Sequence, residues 1–195
     1  KIFDQIDIRM KKYISKLLNI SQSEALKIQK LYYKEFGTTL SGLMKNYNIN
    51  SDDFLNYVHE VKLDRLKRSE KLIQLLSQLP GKKIIYTNGD FKHAQNILGK
   101  LEILDFFYGI FDIKKGDLIP KPQKESLIKL IKYYNIDPLK TVYFEDIKKN
   151  LQNAFNLGVT TILIDYNKKS LKNSYVDYSF KTIISALNAL KDKLN

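Results

Sequence analysis

Lys83-Ile84-Ile85-Tyr86-Thr87-Asn88-Gly89 is the stretch on which the chain changes character. A short run of β-branched and aromatic residues passes directly into a hydroxyl, an amide and a glycine, which reads as a buried strand entering a turn. Downstream, apolar runs of the same kind recur at 142–144, 161–164 and 176–178. Stretches of helical periodicity lie between and after them, at 91–98, 124–134, 148–157 and 182–194. Strands alternating with helices predict an α/β fold, a parallel sheet wrapped by helices. Gly158 stands where a helix hands over to a strand, the place of a left-handed C-cap.

Upstream of Pro80 every pattern is helical. Phe3, Ile6, Met10, Tyr13, Ile14 and Leu17 recur at steps of three and four and so share one helix face. Ser21, with Glu24 three residues on, has the spacing of a reciprocal capping box and opens a second helix that ends near Gly37. Thr38 and Thr39 open a short helix through Leu43, and Ser51 is expected to cap another that holds Phe54, Leu55 and Val58. A further helix follows Ser69 and stops at Pro80. The expected organisation is an all-helical unit at 3–68 followed by an α/β unit at 69–195.

With 44% hydrophobic and 28% charged residues, the 195-residue chain has the composition of an ordinary globular protein. It has no cysteine, which excludes a disulfide framework, a cysteine nucleophile and thiolate metal sites. Its apolar runs fall far short of the roughly 18 residues a membrane helix needs, and a cytoplasmic location is the simplest reading. The formal charge of +12 would suit a nucleic-acid partner if the basic residues were clustered. They are spread through almost every segment, which fits a solvated surface mildly attractive to anionic substrates.

Ligands of open parallel sheets bind beyond the carboxyl ends of the strands, and three places there carry chemistry. Thr87-Asn88-Gly89 offers a hydroxyl, an amide and a close backbone approach suited to phosphate oxygens, although the same tripeptide also makes an ordinary turn. In Pro120-Lys121-Pro122 two prolines fix the backbone around one positive charge, which is otherwise one surface lysine among many. Glu145 and Asp146 follow an apolar strand with no intervening turn. Two adjacent acids there are costly unless a cation or hydrogen-bond donors meet them, and oxygen ligands suit Mg²⁺. A helix N-cap would account for one of the two acids but not both.

In this order, strand then Thr-Asn-Gly, Pro-Lys-Pro before a helix, and strand then Glu-Asp, the chain resembles motifs two, three and four of the haloacid dehalogenase (HAD) superfamily. IFDQIDIRM from Ile2, YKEFGTTLSGL from Tyr33, GIFDI from Gly109 and FEDIKKNL from Phe144 are similar to its pyrimidine 5′-nucleotidase branch. The resemblance implies a Rossmann-like sheet with an inserted helical cap. It also implies Mg²⁺-dependent hydrolysis of a small phosphorylated substrate, a nucleoside 5′-monophosphate, through an aspartyl-phosphate. On that basis Thr87 and Asn88 bind the phosphoryl group, Lys121 neutralises its charge, Asp146 ligates Mg²⁺, and Glu145 does so directly or through water. Thr87 and Lys121 are then the catalytic residues in this sequence. Relatives commonly place Ser after the acidic pair, where this chain has Ile147.

The resemblance also implies a first motif, Asp-x-Asp-x-Thr, whose first Asp is the nucleophile, and no such sequence occurs in the 195 residues. Asp4 and Asp7 belong to the helical pattern that follows the motif in relatives. The expectation is therefore that the chain starts about a dozen or more residues after the nucleophile. The central first strand would then be missing from the sheet and the chain inactive by itself. The rival expectation is a catalytically dead module that keeps Thr87, Lys121 and Asp146 as an anion site.

Overall fold

The computed structural model describes residues 2–166 and 175–194. The first part is helical: α1 (Ile2–Leu18), α2 (Gln22–Phe36), α3 (Thr39–Asn46) and α4 (Ser51–His59). At the start of α2, Ser21 Oγ accepts from Glu24 N at 3.2 Å and the Glu24 carboxylate accepts from Ser21 N at 3.0 Å, the reciprocal box expected from the spacing. Gly37 ends α2 in the left-handed conformation, φ +82°. The cap of α4 is Asn50 rather than Ser51. The Asn50 amide oxygen reaches the free N–H groups of both Asp52 and Asp53, so Ser51 becomes the first helical residue.

The four helices pack around one cluster that includes Ile14, Leu43, Phe54 and Val58, joined by Ile113 from the α/β part. The apolar face expected of α1 is only partly used. Ile6 and Ile14 are buried and Ile2, Met10, Tyr13 and Leu18 pack against the same cluster, whereas Phe3 is 75% exposed and Leu17 is exposed as well. Close packing of α2 on α3 depends on Gly42. A Cβ at that position would sit 2.3 Å from the ring of Tyr32.

The α/β part follows with α5 (Glu70–Gln78), β1 (Ile84–Tyr86), α6 (Phe91–Lys100), β2 (Gly109–Phe111), α7 (Lys124–Tyr134) and β3 (Val142–Glu145). It ends with α8 (Gln152–Asn156), β4 (Thr160–Ile164), β5 (Tyr178–Phe180) and α9 (Ile183–Leu194). Most boundaries fall within two residues of expectation, and three departures have a visible cause or consequence. The stretch 148–157 is a 3₁₀ turn over Lys148–Leu151 followed by the short α8. β2 is an additional strand, which opens on Gly109, a residue that strands disfavour. β5 starts two residues later than expected, because the Asp177 carboxylate is held by Thr161 N at 2.7 Å and Thr161 Oγ1 at 2.9 Å, ahead of the ladder.

All pairings are parallel, and the strands form two pieces, β1-β2 and β3-β4-β5. Alternation along each strand sends side chains to opposite faces. Ile85 and Phe144 join Leu75, Leu98 and Leu187 under α5, α6 and α9, while Ile84, Tyr86 and Tyr143 join Leu127, Leu130 and Ala154 under α7 and α8. The result is three layers, helix, sheet, helix. No described strand hydrogen-bonds to both β1 and β3. These neighbours are instead connected by side chains, the Tyr86 and Tyr143 rings lying 6.0 Å apart. At the outer edge of β2, Lys115 Nζ donates to Ile110 O at 2.6 Å and lies over the rings of Phe91 and Tyr133. Among the described residues no helix is long and apolar enough to cross a membrane.

Gly42→Ala tests the α2–α3 contact. Helix propensity alone favours Ala by about 1 kcal/mol, but the overlap with Tyr32 is an overpacking strain of about 1–3 kcal/mol. Urea denaturation should therefore show the variant to be less stable, contrary to propensity.

Candidate active site at the ends of β1 and β3

β1 delivers Thr87 and Asn88 at its carboxyl end. Thr87 Oγ1 accepts from Gly89 N at 2.9 Å, which folds the chain back, and Asp90 Oδ1 accepts from His93 N at 2.8 Å to cap α6. Asn88 ties this turn to a loop 33 residues away. Its Oδ1 accepts from Lys121 N at 2.7 Å and its Nδ2 donates to Lys121 O at 3.2 Å. Lys121 sits between a fully buried Pro120 and Pro122, with a cis Lys121–Pro122 peptide. An amide clamp and two flanking prolines leave its backbone one course.

The Lys121 ammonium donates to Tyr86 O at 3.0 Å and to Glu145 Oε2 at 2.7 Å. Both partners are secluded, the side chains being 12% and 5% exposed. Glu145 Oε2 also accepts from Tyr143 OH at 2.7 Å, and Oε1 accepts from the N–H groups of Asp146 and Ile147, each at 3.1 Å. Burial pushes the Glu145 carboxyl up, but the Lys121 charge and the surrounding donors outweigh it and bring it down to about 2. Tyr143 is pushed well above its ordinary value by burial and the Glu145 charge, and Tyr86 is pushed up to about 12, chiefly by burial. Both phenols stay protonated, and Tyr143 acts as a donor.

Asp146 is exposed beside this network. Its carboxyl is shifted upward, first by partial burial and then by its neighbour Glu145. An incoming cation would relieve that unfavourable proximity of two acids. Among the described residues no group of three or more His, Asp or Glu side chains is arranged to hold a metal. Mg²⁺ asks less of a protein: one or two carboxylates, with water and substrate phosphate completing its octahedron. Asp146 fits that share. The Glu145 oxygens already take four donors, so its evident work is holding the lysine.

The sequence-predicted residues Asn88, Lys121 and Glu145 are thus joined in one hydrogen-bonded network, with Thr87 and Asp146 adjacent in sequence to its members. The helical part reaches the same place. A Cβ on Gly37 would lie 3.3 Å from Pro120 Cγ and 3.7 Å from Lys121 O, and Lys149 Nζ lies 4.7 Å from the Tyr33 ring centre. Sequence reasoning missed Tyr86 and Tyr143, whose signal was a polar-tipped aromatic on each strand just before its motif. It also missed His59, His93 and Asp90. Their only sequence signal is that the chain has just two histidines.

A parallel α/β core that gathers an amide, a lysine and paired acids at its carboxyl edge under a helical unit defines a protein of Rossmann-like architecture with an anion-suited edge. Comparison with known proteins gives the family. The haloacid dehalogenase-like hydrolase family matches over residues 4–164, and the chain belongs to it. Phosphate metabolism protein 8 of Saccharomyces cerevisiae is 28% identical over 191 residues, covering 87% of this chain and 59% of that protein. The chain therefore spans little more than half the length of this curated relative. Among solved structures, an HAD phosphatase from Thermococcus onnurineus superposes with a TM-score of 0.66 at 19% identity, covering 100% of this chain and 90% of the other. YfnB of Bacillus subtilis, bound to magnesium, gives 0.62 at 17%, covering 99% and 92%. L-2-haloacid dehalogenase from Xanthobacter autotrophicus gives 0.58 at 13%, covering 97% and 85%. These likenesses share the fold.

Removing one partner of a secluded ion pair strands the other charge, at about 3–5 kcal/mol. Lys121→Met should show this loss in chemical denaturation at pH 7. The pair's contribution has a definite sign. Because the Glu145 carboxyl is lowered in the folded state, its stabilisation is complete above about 4.5 and disappears as pH falls toward about 2. Stability measured from pH 5 to pH 2 should fall more steeply in the native chain than in Glu145→Gln.

Proposed function

We propose that the protein is a Mg²⁺-dependent phosphomonoester hydrolase working through an aspartyl-phosphate, with nucleoside 5′-monophosphates as its substrate class. The observation that carries this reading is the Lys121 ammonium, fixed by Glu145 and Tyr86 O beside the Thr87-Asn88 turn. A preorganised positive charge at the carboxyl edge of a parallel sheet is what a transferring phosphoryl group requires. The phosphatase named among the structural neighbours is consistent with it, and so is the yeast relative's name. The resemblance to the pyrimidine 5′-nucleotidase branch supplies the nucleotide.

In this reading the phosphorus–oxygen bond to the leaving alcohol breaks as one to an aspartate carboxylate forms, and water then releases phosphate. Thr87 and Asn88 orient the phosphoryl oxygens, and Lys121 balances their charge. Asp146, with Glu145 behind it, supplies the carboxylate side of the Mg²⁺ site, and the bound ion adds further positive charge at the phosphoryl group. Residues 3–68 serve as the cap that excludes water, and residues 69–195 as the core. The nucleophile belongs to a strand ending in Asp-x-Asp-x-Thr that pairs with the open edges of β1 and β3.

Joining such a strand to the chain and assaying an aryl phosphate and a panel of nucleoside monophosphates, with and without Mg²⁺, tests the reading. Mg²⁺-dependent turnover is expected only with the strand present. Asp146→Asn should then lower turnover by roughly 10²–10³-fold, the scale of one lost charge-stabilising contact, and weaken Mg²⁺ binding. Asp4→Asn in α1 should leave turnover within about twofold, as for most surface changes. Phosphate binding without turnover in the extended protein would favour the anion-binding module instead.

A further inference from the structure

The two histidines of the chain, 34 positions apart, meet where the helical part touches the core. His59, the last residue of α4, stacks on His93 in the first turn of α6, with ring centres 4.2 Å apart and planes 14° from parallel. His59 Nδ1 lies 3.2 Å from Asp90 Oδ1 without the geometry of a hydrogen bond, and the two side chains are only 11% and 6% exposed. Both rings border the turn that presents Thr87. A Cβ built on Gly89 would lie 3.3 Å from Thr87 Oγ1, 3.5 Å from His93 Cδ2 and 3.7 Å from His59 Cε1.

We propose that His59 is a positioning residue that seats the helical unit on the Thr87-Asn88-Gly89-Asp90 turn, and that its stack on His93 makes this seating sensitive to pH. Two imidazoles lie face to face readily while at most one is protonated. Doubly protonated, they place two like charges in van der Waals contact in a secluded place. The surrounding charges fix how much can be tolerated. Asp90 faces both rings and balances one positive charge. Asp112 is engaged by the N–H groups of Phe91 at 2.9 Å and Lys115 at 3.1 Å. Lys114 is paired with Asp52 of α4 at 2.6 Å, and Glu60, next to His59, is taken by Arg9. No second counter-charge faces the stack among these groups.

The direction of the effect follows. His93 is lowered to about 4, first by burial and then by His59. A form in which the stack has come apart takes up a proton at the ordinary imidazole value near 6.5, so it gains on the seated form as pH falls from 6.5 toward 4. The seating is intact at neutral pH and loosens in acid. The Asp90 and Glu145 carboxyls are also held down, but they titrate below that window. Seating on the turn stands on geometry alone, and only its bearing on phosphoryl binding rests on the hydrolase reading.

The test needs no turnover and uses the chain itself: an NMR titration of the two imidazoles with amide hydrogen exchange measured across pH 7.5 to 5. His93 should titrate well below the ordinary range. After correction for intrinsic rates, the amides of residues 58–60 and 89–93 should exchange faster together as pH falls, by up to about tenfold per pH unit for one proton. His93→Gln should abolish this shared acid response, and His59→Gln should bring the His93 titration back toward the ordinary range. Independent responses of the two segments, or an ordinary titration of His93 in the native chain, would overturn the proposal. Should His93→Gln fail to fold, the native titration and His59→Gln decide the matter alone.

Discussion

The Lys121 ammonium is the group on which the arrangement depends. A charge this secluded is tolerated only with its acceptors in place, and here they come from different halves of the sheet, the Tyr86 carbonyl of β1 and the Glu145 carboxylate of β3. These two strands share no ladder, so the lysine does for them part of what backbone hydrogen bonds do between other neighbours. A buried ion pair adds little net stability compared with apolar packing, since desolvation offsets most of the Coulombic gain. Its effect is on placement. Tyr143, the Asn88 clamp and the prolines remove the freedom of a long flexible side chain, and the charge is held where an anion at the carboxyl edge of the strands meets it.

The helical unit converges on the same few residues. Gly37 abuts Pro120 and the Lys121 carbonyl, Tyr33 receives Lys149, and His59 lies on His93 beside the Thr87 turn. Each of the loops that carries a candidate site residue is therefore touched by α2, its terminal turn or α4. These contacts tie the position of the helical unit to the loops that carry the candidate residues.

Much of this was legible in the sequence, and the limits have physical causes. The α/β alternation, the capping box at Ser21 and the left-handed Gly37 and Gly158 are local properties, written in spacing and residue type. β2 escaped because it opens on Gly109, a residue that strands disfavour, and β5 was misplaced because its start is set by the Asp177–Thr161 bonds between distant segments. Thr87, Asn88, Lys121, Glu145 and Asp146 stood out because strand ends and prolines mark them. What the sequence concealed was that Glu145 turns inward to Lys121, Tyr143 and two backbone N–H groups while Asp146 is left exposed, a difference set by the direction each side chain takes after the strand. The His59–His93 stack was invisible for the same reason. Nothing about residues 59 and 93 taken singly announces that they touch.

Lys115, at the far side of the small β1-β2 sheet, has a bearing on how the molecule behaves in company. Exposed strand edges are templates on which chains recruit copies of themselves. By covering the outward carbonyl of Ile110 with an ammonium lying over Phe91 and Tyr133, the fold places a charge on the margin of β2. A charge at that place discourages the outward addition of further strands to β2.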